Sequence, residues 1–124
     1  MAVDGVGPVT ATAVVASVGN GHEFSSGRQF AAWLGLTPRQ SSSGGKTRLG
    51  GISKRGNEYL RRLFIHGARS VLQLTGSRAD RKSRWAEAVK GRRGDNIAAV
   101  ALAAKHARIL WAMLVRGEVY QLAA

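Results

Sequence analysis

From residue 60 to residue 72 the chain carries an apolar stripe that only a helix can assemble. Leu60, Leu63, Phe64, Gly67, Ala68, Val71 and Leu72 fall at i, i+3, i+4, i+7, i+8 and onward, the spacing of one face of a 3.6-residue period. Arg62, His66, Arg69 and Gln73 follow the same spacing on another side and make a polar, basic stripe. A helix built this way must bury its apolar face against other elements. The helix is predicted from Asn57, which can cap it, to about Leu74.

The rest of the chain supplies helical partners. Asp95 or Asn96 can cap a last long helix to about Val115. In that helix Val100, Ala103, Ala107, Leu110 and Leu114 make one apolar stripe, and Ile97, Ala101, Ala104, Trp111 and Val115 make a second. A helix apolar on two sides is sandwiched, and its alanines let neighbours come close. Near the start, Pro8 suits a first helical turn because it needs no amide donor there. Ala11, Val14, Val15 and Val18 then repeat at helical spacing, and the run Gly19, Asn20, Gly21 ends that helix. Ser26 and Gln29 form a capping-box pair opening a short helix from Gly27 to about Leu34, with Phe30, Trp33 and Leu34 inward. Ser77 and Asp80 resemble another capping pair, for a helix that buries Trp85 and Val89 and is broken by Gly91 to Gly94. The reading is an all-α, compact helical domain of 124 residues.

Residues 37–56 show no sustained periodicity. They read as a long, largely irregular loop with room for a short β-hairpin, and loops of this length in compact domains are usually functional or disordered. Charge concentrates in and just after it. The net charge of the chain is +12. Residues 38–62 hold Arg39, Lys46, Arg48, Lys54, Arg55, Arg61 and Arg62 against Glu58 alone, whereas residues 1–37 have one Arg against Asp4 and Glu23. Such a patch points to a polyanion partner.

Several chemistries are set aside by what the chain lacks. Without cysteine there is no disulfide framework or thiolate metal site. His22, His66 and His106 are scattered, and the seven acidic residues form no pair or cluster at ligand spacing, so no metal site is expected within the chain. Gly44, Gly45, Lys46 and Thr47 imitate the end of a nucleotide loop, but Gln40 stands where the Walker pattern needs glycine, and no buried strand precedes it. No apolar run approaches the roughly 20 residues of a membrane span and no signal peptide is visible, so the protein is expected to be soluble and cytoplasmic.

Two constellations remain. Gly5, Val6, Gly7, Pro8, Val9 and Thr10 match the hairpin and second-helix start of a helix-hairpin-helix motif, in which amides at a helix N-terminus face a phosphate. An ordinary proline-started helix after a glycine turn reads the same way. Ser41, Ser42 and Ser43 sit beside Gly44 and Gly45 and upstream of Lys46 and Arg48. A serine attacking a phosphodiester needs in-line access, charge stabilisation and a route for its proton. The loop supplies residues for the first two and no evident base, and a flexible phosphate-contacting loop would have the same composition.

Taken in order, Gly5 to Ala11, Phe30 to Arg39, Ser42 to Lys46, Gly51 to Asn57, Leu60 to Arg62 and Val100 to Trp111 resemble one family over residues 5–120. It is the C-terminal domain of the insertion-sequence transposases called the IS-one-ten, IS-one-sixteen and IS-nine-oh-two group. The resemblance implies a bacterial DNA recombinase that moves a mobile element. It implies a helix-hairpin-helix-like part over 5–36, a basic serine loop over 37–56 and a helical core over 57–120. An N-terminal RuvC-like domain with four acidic residues that bind Mg²⁺ is expected outside this chain. The family's essential serine maps to Ser43, with Ser42 as the adjacent fallback, and is understood to form a phosphoserine link to DNA. A structured guide RNA and a homo-oligomer are the further partners that the resemblance implies; no membrane is.

Roles follow on that basis. Gly44 and Gly45 would let the backbone approach, while Lys46, Arg48, Lys54 and Arg55 would hold the phosphate. Arg61, Arg62 and Arg69 would hold the flanking backbone, with Gly5, Gly7 and Thr10 as a second phosphate contact. The chain by itself is expected to bind DNA without cutting it. A purely binding helix-hairpin-helix module and an RNA-binding scaffold stay open as alternatives.

Overall fold

The computed structural model describes residues 5–36 and 54–118, with only the helical backbone described at 54–57. Among the described residues five α-helices follow one another: α1 (Pro8–Val18), α2 (Gly27–Trp33), α3 (Lys54–Leu72), α4 (Arg81–Arg93) and α5 (Asp95–Val115). A 3-10 turn, Thr75–Ser77, joins α3 to α4, and no strand occurs among the described residues. The protein is all-α, as its periodicity requires.

Local chemistry explains most helix ends. Pro8 occupies the first turn of α1. Ser26 caps α2 by accepting from the Gln29 amide at 3.1 Å, and the Gln29 side chain reaches back to the Ser25 amide at 2.6 Å. This is a capping box displaced by one residue. Asp80 caps α4, accepting from the Ser83 amide at 3.0 Å and its hydroxyl at 2.8 Å. These bonds, the hydroxyl's foremost, hold the Asp80 carboxyl below its ordinary value of 3.8.

Three ends differ from the expected ones. Helix α3 already begins at Lys54, so Asn57 lies inside it and Gly56 does not delay it. Helix α4 runs through Gly91 to Arg93, because one glycine costs a helix only about 1 kcal/mol. The break falls at Gly94, whose φ of 92° lies in the left-handed region open to glycine. Gly94 also stands at the N-cap of α5, leaving Asp95 in its first turn.

The core forms around α5, with α2, α3 and α4 packed on it. Leu102, Ala103, Ala107, Leu110 and Leu114 are buried there, as are Leu60, Phe64, Ala68, Val71 and Leu72 of α3. Phe30 is wholly buried, with the rings of Phe24, Trp33 and Phe64 at 5.2, 6.0 and 6.3 Å. Trp111 is partly buried and donates from Nε1 to the Gly21 carbonyl at 2.9 Å. Of the second α5 stripe, Ala104 is buried while Ile97 is exposed in the first turn. Among the described residues α5 is the helix long and apolar enough to cross a membrane, and here it is the central helix of the core.

The turn that leads into α1 meets α3 by backbone contact. A side chain at Gly67 would run into the Gly5 carbonyl, and one at Gly5 would meet His106 Cε1 at 2.9 Å. Gly5 itself has a φ of 83°. The pair is thus required twice over, for space and for conformation. His106 is fully buried beneath this turn, with Nε2 at 3.2 Å from Lys82 Nζ. If Lys82 donates, the ring carries its own proton on Nδ1.

Candidate nucleic-acid interface

The exposed side of α3 is the best-described part of the expected interface. Arg62, His66, Arg69 and Gln73 are all exposed and lie along one side of the helix, while Leu60, Phe64 and Ala68 face the core. Seven residues separate Arg62 from Arg69, a rise of about 10 Å. Arg62 reaches Glu58 at 3.5 Å across an exposed pair, an interaction weak enough for a phosphate to displace. Arg69 is steadied by the Asn96 side-chain oxygen at 3.3 Å. Arg61 stands apart from them, half-buried, with its guanidinium over Gly35.

A cleft of about 270 Å³ continues this stripe, lined by Arg69, Gln73, Lys90, Asp95 and Asn96 above Leu72. It joins the end of α3 to the end of α4. On another side of α3, Tyr59 is half exposed beside Pro8, Val9, Thr12, Ala13 and Ala16 of α1, which line an open groove of about 400 Å³. Tyr59 was not foreseen. Its signal in the sequence is an aromatic lying off the Leu60, Leu63 and Phe64 stripe, one turn before Arg62.

Gly7 is exposed at the N-cap of α1, with open space where a side chain would stand. Thr10 is buried, so its hydroxyl is turned away from solvent and only its amide belongs to the open helix end. Gly5 is engaged with Gly67 and His106. Ser42, Ser43, Gly44, Gly45, Lys46 and Arg48 lie outside the described residues, as do the side chains of Lys54 and Arg55.

No group of three His, Asp or Glu gathers to hold an ion among the described residues. Four of the six acids described are engaged: Glu58 faces Arg62, Asp80 caps α4, Glu87 accepts from Thr75 and Glu118 pairs with Arg116. The donor set described here does not fit a Mg²⁺ site.

Comparison with known proteins decides the family. The profile of the IS116/IS110/IS902 transposase family matches residues 1–84. The chain belongs to this family. A Pseudomonas aeruginosa protein named "Probable family 20 transposase" is 56% identical over 121 residues, covering 98% of this chain and 36% of the relative. The transposase for insertion sequence element IS1111A of Coxiella burnetii is 53% identical over 122 residues, covering 98% and 34%. That for insertion sequence element IS1328 of Yersinia enterocolitica is 40% identical over 120, covering 97% and 36%. The chain therefore spans about a third of the length of these relatives. No solved structure matches.

Proposed function

We propose that this chain is the DNA-binding, serine-bearing part of an insertion-sequence transposase of the bacterial cytoplasm. The observation that carries the reading is the match to transposases along nearly the whole chain, at up to 56% identity. The exposed stripe of Arg62, His66 and Arg69 supports the binding half, since guanidinium groups pair with phosphate oxygens.

In this reading Ser43 Oγ attacks the phosphorus of a DNA phosphodiester and displaces one ester oxygen. That oxygen leaves as the free hydroxyl of a DNA end while the serine gives up its proton, so that one P–O bond forms as one breaks. The product is a phosphoserine link that a second DNA end can later attack. Lys46 and Arg48, beside the serine, offset the charge gathering on the non-bridging oxygens. Lys54, Arg55, Arg62 and Arg69 hold the strand on either side. Mg²⁺, which would offset charge on the phosphate when bound, would be held by acidic residues of the remainder of the transposase. A guide RNA and a homo-oligomer belong to the same reading.

Ser43→Ala in the complete transposase tests it. Strand exchange is expected to disappear while DNA binding stays near the wild-type level. Strand exchange at the wild-type rate would remove Ser43 from the role.

A further inference from the structure

Helix α4 carries a charge pattern that the serine loop and α3 leave unused. It holds Arg81, Lys82, Arg84, Lys90, Arg92 and Arg93 against Glu87 alone. Glu87 is half-buried, accepting from Thr75 Oγ1 at 2.5 Å and facing Lys90 Nζ at 3.8 Å. Lys82 turns to the buried His106, and Asp80 is engaged by Ser83. Ser83, Ala86 and Val89 face the core. Arg93 is exposed at the helix end, about 100° round from Arg92. The other outward residues are Arg81, Arg84, Ala88, Gly91 and Arg92, all exposed. At 3.6 residues per turn these five fall within about 100° of the helix circumference.

The ridge is high at its ends and low in the middle. Ala88 offers only a methyl, and no atom lies within 4 Å of where a side chain at Gly91 would begin. Glycine weakens a helix relative to alanine, and among the described residues nothing needs the space it leaves. Arg84 and Arg92 are eight residues apart, a rise of about 12 Å. The major groove of duplex DNA, with a row of phosphates on each side, is about 12 Å wide.

We infer that the outer ridge of α4 is a second DNA-binding face. Arg81 and Arg84 hold the phosphates on one side of a groove, Arg92 holds those on the other, and Ala88 and Gly91 let the helix come close between them. The cleft lined by Arg69, Gln73 and Lys90 lies on another side of α4, about 100° round the helix from Gly91, so the ridge is a face separate from the basic stripe of α3. The inference rests on the reading of the chain as a DNA-binding part of a transposase, and adds a site to it.

The test is a titration of the 124-residue chain with a labelled DNA duplex, and separately an RNA duplex, across a range of salt. The triple variant Arg81→Ala, Arg84→Ala, Arg92→Ala changes exposed side chains only, and its thermal melt checks the fold. Three phosphate contacts contribute about 2.7 to the slope of log affinity against log salt. The wild type should therefore lose about fortyfold more DNA affinity than the variant between about 50 and 200 mM salt. An unchanged slope on DNA, or a change confined to RNA, overturns the ridge as a DNA face. The double variant Arg62→Ala, Arg69→Ala separates the two claims. If it flattens the slope and the triple variant does not, only the ridge fails; if the wild type binds no DNA at low salt, the functional reading fails as well. Gly91→Leu adds bulk without charge and suits a helix better. It should keep the wild-type melting temperature or exceed it while binding DNA more weakly; wild-type affinity would count against close approach on the ridge.

Discussion

Gly67 is the residue at which a single methyl should do most damage. Its position faces the Gly5 carbonyl, a backbone atom that cannot rotate away. Gly67→Ala is expected to cost about 3 kcal/mol, the upper range for overpacking, read as a lower urea midpoint with an unchanged slope. Wild-type stability would mean that α1 can shift on α3. Asp80 acts instead through pH. Its carboxyl is held low by Ser83, so its contribution is complete above the ordinary carboxylate value. It is lost as pH falls through the lowered one. The gap in melting temperature between wild type and Asp80→Ala should be constant near neutrality and close in acid; a gap independent of pH would contradict the capping account. Both residues were partly legible in sequence. Ser77 and Asp80 read as a capping pair because such chemistry is local, but Asp80 is the cap by itself, while Ser77 belongs to the 3-10 turn and donates to the Leu74 carbonyl at 2.9 Å. The contact of Gly67 with Gly5 joins positions 62 residues apart, and no spacing rule reports it.

At the scale of elements, periodicity located the helices and misjudged where some begin and end. The apolar stripe of α3 was readable because it repeats over four turns, but its start at Lys54 was hidden by Gly56. Gly91 and Gly94 look alike in sequence, and only the second takes a left-handed backbone. The prediction is a difference between them. Gly94→Ala should destabilise by about 1–3 kcal/mol through backbone strain alone, since its φ of 92° and ψ of 169° suit only glycine and nothing lies within 4 Å of its missing side chain. Gly91→Ala should be neutral or stabilising. Thermal melts of both variants check this, and equal effects would contradict it. His106 marks another limit, because its burial depends on three-dimensional neighbours, Gly5 and Lys82, that no motif links to it. Likewise Arg61, Arg62 and Arg69 are one cationic set in sequence, yet the helix separates Arg61, half-buried over Gly35, from the other two.

For the whole molecule, the net charge of +12 gains meaning from where the cations stand. The core is wrapped around α5, and exposed arginines stand on α3 and on the outer side of α4. Arg62→Ala and Arg69→Ala should each lower the salt slope of DNA binding by about 0.9 and weaken unrelated sequences alike; a loss confined to one sequence would make them base readers instead. The serine claim reaches beyond binding and admits a more direct measurement. Trapping the covalent complex of the complete transposase with DNA, followed by digestion after Arg39 and Lys46, isolates the peptide that contains Ser43. The account predicts a nucleotide attached to that peptide at Ser43. A nucleotide on another residue, or strand exchange with no serine-linked intermediate, would contradict it.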